Sequence, residues 1–220
     1  MGPLRDAFQM PDGACDERFC ILSGIAARQA GWALLPGPAE CLGGVMRVIG
    51  LAGWSGAGKT TLMVKLIPCL IGRGIGVSTL KHAHHRFDVD VPGKDSWQHR
   101  QAGAQQVMVA SGTRWALMTE LRGGPEPRLP ELIARMDRVD LVIVEGFKRD
   151  AHPKLEVHRA ANGKPWMHPD MPGIVAVASD TLPPYDLPRA GLDEVEAIAD
   201  LVLAGARSFE NIDWTAAALA

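Results

Sequence analysis

From residue 46 onward the chain alternates short apolar runs with longer segments of mixed polarity. "MRVIGLAG" (46–53) is an apolar run closed by glycine, which is how a buried parallel strand reads; the strand is placed at 46–52. A helix follows over 58–72, and Pro68 inside it predicts a kink or a break, because proline lacks the N–H and crowds the preceding turn. A strand is expected at 75–81, then a polar loop at 82–95 rich in His, Asp, Pro and Gly. Ser96 suits the cap of a helix at 97–103. "QVMVAS" (106–111) and "RWALMTE" (114–120) predict two strands, paired or successive. After a loop at 123–130, "LPELIARM" opens a helix and "DLVIVEGF" (140–147) reads as a second buried strand. "KLEVHRA" (154–160) reads as an alternating strand, and "GIVAVASD" (173–180) as another buried one. "LDEVEAIADLVLAGA" (192–206) has the clearest helical periodicity. Strands alternating with helices predict an α/β fold: a largely parallel sheet with helices on both faces, plus hairpin-like strands.

Residues 1–45 break this pattern. They hold Gly-Pro-rich pieces such as "LLPGPAECLGG" and no sustained periodicity. Two expectations fit: a natural start at Met46, or an unstructured or loosely attached N-terminal extension with a short helix near 21–31. The domain reading is therefore an extension at 1–45, an organised domain at 46–206 and a tail at 207–220. Phe19 to Ala27 is mildly apolar, but Asp16 and Glu17 before it argue against a secretory segment.

Composition narrows the classes. Lys plus Arg number 23 against 25 for Asp plus Glu, so no basic excess marks a nucleic-acid binder. No run is long and apolar enough for a membrane span. Cys15, Cys20, Cys41 and Cys69 lack C-x-x-C spacing, which fits neither a zinc site nor a disulfide framework. A reducing, cytoplasmic compartment is the expectation.

Residues 53–60, "GWSGAGKT", match G-x-x-x-x-G-K-[ST] in full, between a strand and a helix. Glycines let backbone N–H groups turn toward a phosphate, and the helix start adds positive potential. Ser55, Gly56, Ala57, Gly58, Lys59, Thr60 and Thr61 are the candidate phosphate binders. Lys59 is suited to the terminal phosphates and Thr60 to Mg²⁺. Glu145, at the carboxyl end of a buried strand, is the candidate second acid for the metal or for positioning a nucleophile, with Gly146 beside it to admit the phosphates closely. Asp140 begins the same strand and belongs at the opposite edge of the sheet.

"KHAHHRFDVDVPGKDS" (81–96) also starts at the carboxyl edge. His82, His84 and His85 suggest a metal site, although three histidines in four residues cannot readily face one ion. The other reading is contact with phosphate or substrate through Lys81, His82 and Lys94, with Asp88 or Asp90 near Mg²⁺. His99 and Arg100 can meet an anion or simply face water. Trp54 can flank a bound nucleotide, whereas Trp97 and Trp115 suit packing or an interface. His152, His158 and His168 have no assignable partner. Ser179 and Asp180 end the last buried strand, where a purine can be read.

In order and spacing, "GWSGAGKTTL", "KHAHHRFDVDVPGKDSWQHRQAGA", "RWALMTE", "LVIVEGFK" and "VAVASD" closely resemble the MobB family of molybdopterin-guanine dinucleotide biosynthesis adapter proteins, from Met46 to about Leu203. The resemblance implies a cytoplasmic GTP-binding protein with weak GTPase activity. It also implies a homodimer with joined sheets that assists the guanylyltransferase MobA in converting molybdopterin cofactor to its guanine dinucleotide form. It implies GTP at Gly56 to Thr61, Mg²⁺ served by Thr60 and Glu145, and no nucleic-acid or membrane partner. Lys59 and Glu145 are then the catalytic candidates. Lys81, His82 and Asp180 join the nucleotide site, and Asp90 the metal set. No N-K-x-D is present, so guanine selection rests on the resemblance alone. A nucleotide-dependent metal chaperone and a small-molecule P-loop kinase are the alternatives.

Overall fold

The computed structural model describes residues 45–83, 87–171 and 173–215. Its centre is strand β1 (Arg47–Ala52), whose residues from Val48 to Ala52 are all buried. The remaining strands of its sheet are β2 (Val77–Lys81), β5 (Leu141–Glu145), β6 (Lys154–His158), β7 (Ile174–Ser179), and the two-residue β8 (Arg189–Ala190) and β9 (Arg207–Ser208). They run in the order β2-β5-β1-β6-β7-β8, all parallel, while β9 pairs antiparallel with the start of β1. Strands β3 (Gln106–Ala110) and β4 (Trp115–Thr119) form a separate antiparallel hairpin, so of the two arrangements expected they take the paired one.

Alternation along β1 sends side chains into two layers. Ile49 and Leu51 join Leu62, Leu66 and Leu70 of α1 (Lys59–Gly72) and Ile198 and Val202 of α4 (Val195–Gly205). On the other face Met46 and Val48 meet Leu129 and Ile133 of the short α3 (Leu129–Ile133), together with Ile212. Full burial of such aliphatic side chains contributes roughly 1.5–3 kcal/mol each. Among the described residues no helix is long and apolar enough to cross a membrane.

Several expectations are corrected. Of the kink or break expected at Pro68, the break does not occur: α1 runs unbroken through it, and Pro68 lies on the exposed side, so water can serve the carbonyl that proline leaves unpaired. The helix expected at 97–103 is α2 (Asp95–Gln101); Ser96 lies inside it, and its hydroxyl donates to Asp90 Oδ1 at 2.8 Å instead of capping. Residues 207–215, read as part of a tail, join the fold. They pair with β1, bury Ile212 and stack Phe209 against Trp214.

Strand β6 keeps the expected alternation, and no face of it meets water. Leu155 and Val157 enter the helical layer. Lys154, Glu156 and His158 are covered as well, and each finds partners. Lys154 Nζ donates to the carbonyls of Asp150 at 2.5 Å and His152 at 2.9 Å. Glu156 accepts from the N–H groups of Met167 and His168 and from the Tyr185 hydroxyl. The His158 ring stacks on Trp166 at 3.6 Å. Burial holds the Lys154 ammonium down to about 8, against a smaller opposing pull from Asp150.

His152 is fully buried, and neither ring nitrogen has a hydrogen-bond partner among the described residues. Burial, and secondarily the Lys154 charge, depress its pKa to about 3. The folded imidazole therefore stays neutral while the unfolded one gains a proton below about pH 6.5. Stability is full above that value and falls as the pH drops from 6.5 toward 3. Urea titrations at pH 7 and pH 5 should differ by about 2 kcal/mol from this group, and His152→Leu should remove that difference. An unchanged pH dependence in the variant would refute the assignment.

Candidate nucleotide-binding site

Strand β1 delivers the chain into the loop Gly53–Gly58. Gly53 has φ +153°, and a Cβ there would lie 2.6 Å from the Val157 carbonyl, so the loop can pass beside β6 only with glycine. Gly58 precedes α1 with φ +96°. No side chain caps α1 and its first turn holds no acid, so its leading N–H groups have no intrahelical acceptor. Lys59 Nζ folds back to donate to the carbonyls of Gly53 at 2.9 Å and Trp54 at 3.1 Å. Two tethers steady the loop: Trp54 Nε1 donates to the Pro165 carbonyl at 2.7 Å, and Asn162 Nδ2 to the Ser55 carbonyl at 2.9 Å.

On the β5 side of this loop, Glu145 lies level with Leu51 of β1 and Lys81 of β2. Lys81 Nζ is 3.5 Å from its carboxylate. Burial lowers the Lys59 pKa; Glu145 opposes the shift, and the charges of Lys148 and Lys81 add to it. Lys59 thus feels the charges of Lys81, Lys148 and a single carboxylate, and Lys148 sits 5.5 Å above the Trp54 ring. This is an excess of positive charge beside unpaired amides, the chemistry of a polyphosphate site. Thr60 and Glu145 offer hard oxygens, a donor set that fits Mg²⁺, which takes few protein ligands and fills the rest with water and phosphate. Asp140 lies at the opposite edge, where it accepts from the Gly76 N–H at 2.7 Å.

Gly146, with φ +95°, makes room for His82, whose Cβ lies 2.6 Å from where a Gly146 Cβ would be. The His82 N–H donates to the Glu145 carbonyl at 2.8 Å. Its ring packs on Phe147 and meets Glu126 Oε1 at 2.6 Å, so His82 adjoins Glu145 through its backbone while its imidazole points elsewhere. His84 and His85 lie outside the described residues. Among the described residues no cluster of three His, Cys, Asp or Glu side chains is arranged to hold a metal.

Asp90 is committed within its own loop. Its carboxylate accepts from Ser96 Oγ and, at 3.2 Å, from Arg100 Nε. Arg100 also grips Asp88 at 2.8 and 2.9 Å and Glu120 at 2.9 Å, and holds the Asp88 carboxyl below its usual range. With its acids turned toward Arg100, the loop exposes Phe87, Val89 and Val91.

On the β6 side, Asp180 Oδ1 accepts from the Ala160 N–H at 2.8 Å. Asp180 lines a cavity of about 310 Å³ together with Ser179, Thr181, Leu182, Arg189 and Glu194. Sequence reasoning passed over Arg159, whose Nη2 lies 3.5 Å from the Cβ position of Gly58. A charged residue directly after a buried strand was the available signal, the one that singled out Glu145. Lys59, Glu145 and Lys81 are therefore brought together, and Asp180 stands on the other flank of the loop.

Residues 48–180 match the family model described as MobB, molybdopterin guanine dinucleotide synthesis protein B. The chain is 45% identical over 159 residues to the molybdopterin-guanine dinucleotide biosynthesis adapter protein of Escherichia coli K12, covering 71% of this chain and 91% of that one. A Haemophilus influenzae protein of the same description is 45% identical over 160 residues, covering 70% and 86%. Among solved structures, a molybdopterin-guanine biosynthesis protein B superposes with TM-score 0.57 at 26% identity, covering 71% of this chain and 98% of that one. Bacillus subtilis MobB shares the fold at TM-score 0.57 and 22% identity, with 73% and 98% covered. The family model takes in both the phosphate loop and Glu145, and the chain belongs to the MobB family.

Proposed function

We propose that this protein is a GTP-binding adapter with weak GTPase activity, which assists a guanylyltransferase of the MobA type in converting molybdopterin cofactor to its guanine dinucleotide form. The observation that carries the nucleotide part is Lys59 beside the Lys81–Glu145 pair, with Lys148 adding its charge, at the uncapped start of α1. Family membership and the relatives' description as dinucleotide biosynthesis adapters support the rest.

In hydrolysis, water attacks the γ-phosphorus and the bond to the β–γ bridging oxygen breaks, leaving GDP and phosphate. Lys59 swings from the Gly53 and Trp54 carbonyls onto the β- and γ-phosphates and offsets the charge that develops on the leaving oxygen. The N–H groups of Lys59, Thr60 and Thr61 hold the phosphates in place. Thr60 and Glu145 would hold Mg²⁺, which when bound would supply charge neutralisation for the phosphates. Glu145, already paired with Lys81, serves the metal better than it serves as a base. A site with charge compensation but no dedicated base turns over slowly, which suits an adapter more than a kinase.

Lys59→Ala should weaken GTP binding at least 100-fold in a calorimetric titration, with a melting temperature close to that of the parent. Undiminished binding would overturn the site. In a strain lacking the gene, enzymes that need the dinucleotide cofactor should lose activity, and a Lys59→Ala copy should fail to restore it. Full activity in the deletion strain would remove the adapter role.

The dimer is proposed to form through the β3–β4 hairpin. Met108 pairs across the strands with Leu117 and Ala110 with Trp115, so one apolar face and two strand edges are open. Exposed faces and edges of this kind favour association. Light scattering should give the mass of two chains, falling to one in Trp115→Asp/Leu117→Asp. A mass of two chains in the double variant would refute this interface.

A further inference from the structure

The two flanks of the phosphate loop carry different chemistry. On the β5 flank stand Glu145 and Lys81, so the metal and the terminal phosphate belong there. The nucleoside must then leave the loop across the β6 flank, toward the cavity between Asp180 and Glu194. Arg159 lies on that route. It follows β6 directly, in an extended conformation, and begins the single 3₁₀ turn Ala160–Asn162.

Both ends of that turn are pinned. The Ala160 N–H donates to Asp180, and Asn162 donates to the carbonyl of Ser55 within the phosphate loop. The backbone of Arg159 therefore cannot drift from the loop. Its guanidinium approaches the loop at Gly58, with Nη2 at 3.5 Å and Nε at 3.9 Å from the Cβ position. Among the described residues its ionic contact is with Asp180, at the long distance of 4.0 Å, and the side chain is 44% exposed. Most of its five donors are thus unspent, unlike those of Arg100, which face three carboxylates at 2.8 to 3.2 Å.

We propose that Arg159 binds the inner, non-transferred phosphates of the nucleotide, exchanging its contact with Asp180 for them. The inference rests on the nucleotide site proposed above and adds a residue and a selectivity to it. A guanidinium meets two oxygens of a diphosphate with paired N–H donors, which a lysine cannot reproduce. Because these phosphates remain in the product, Arg159 stabilises substrate, transition state and GDP alike. It acts on affinity rather than on the chemical step. Exchange also releases one oxygen of Asp180, at the mouth of the cavity where the base would lie.

Calorimetry with Mg-GDP and a non-hydrolysable GTP analogue tests this on the full chain. Arg159→Ala should weaken both ligands by a similar factor, about 10- to 100-fold. At saturating GTP, kcat should change less than about threefold. Arg159→Lys should recover only part of the affinity, and both variants should melt near the parent temperature. Parental affinity for GDP in Arg159→Ala would overturn the proposal. So would an intact affinity with kcat reduced 1000-fold, the behaviour of a residue that acts only in the transition state. Should Arg159→Ala fail to fold, Arg159→Lys binding GDP as tightly as the parent would also overturn it. If the parent protein binds neither nucleotide, the site itself fails; if it binds both and Arg159 is indifferent, only this inference fails.

Discussion

Parallel pairing of β1 with β5 on one side and β6 on the other is the constraint on which the site depends. A parallel neighbour points its carboxyl end the same way, so every chain segment that leaves these strands emerges at one edge. Three strand ends therefore deliver the phosphate loop, Glu145 and Arg159 to a single place. The pairing is held by burial: the residues facing the two layers from β1 and β5 are almost wholly excluded from water. Displacing either neighbour by one residue would turn its apolar set to the wrong layer and carry its charged end away from the loop.

Much of this was legible in the chain. Runs of Val, Ile and Leu bounded by glycine located β1, β5 and β7, because strands buried on both faces need no polar positions. The strand–loop–helix around Gly53–Gly58 and the place of Glu145 at the sheet edge were legible for a related reason: glycine, lysine and a strand-end acid answer to local geometry and to the sheet edge, both of which sequence encodes directly. The α1 helix was legible in extent but not in continuity. Proline removes one N–H and crowds the preceding turn, which costs less on a side open to water, and which side faced water was not written in the segment itself.

What remained hidden depended on contacts distant in sequence. Asp90 had the look of a metal ligand, yet its partner Arg100 is ten residues away and shared with Glu120. That Gly146 also makes room for His82, a residue from another strand end, could not be read from its own segment. The cover over the polar positions of β6 was also hidden: residues such as Trp166 and Met167 lie beyond the strand and have no helical periodicity to announce them.

The polar residues Glu156 and His158 have a mechanical consequence for that covering segment. An oily seal can slide, since one methyl replaces another at little loss. Here the Glu156 carboxylate accepts from the N–H groups of Met167 and His168, and a slip of one residue would strand it in a dry interior. The segment is therefore indexed to the sheet, like a key in a ward lock. Since Pro165 and Asn162 in it hold Trp54 and Ser55, that indexing sets the shape of the anion cradle from outside the cradle itself.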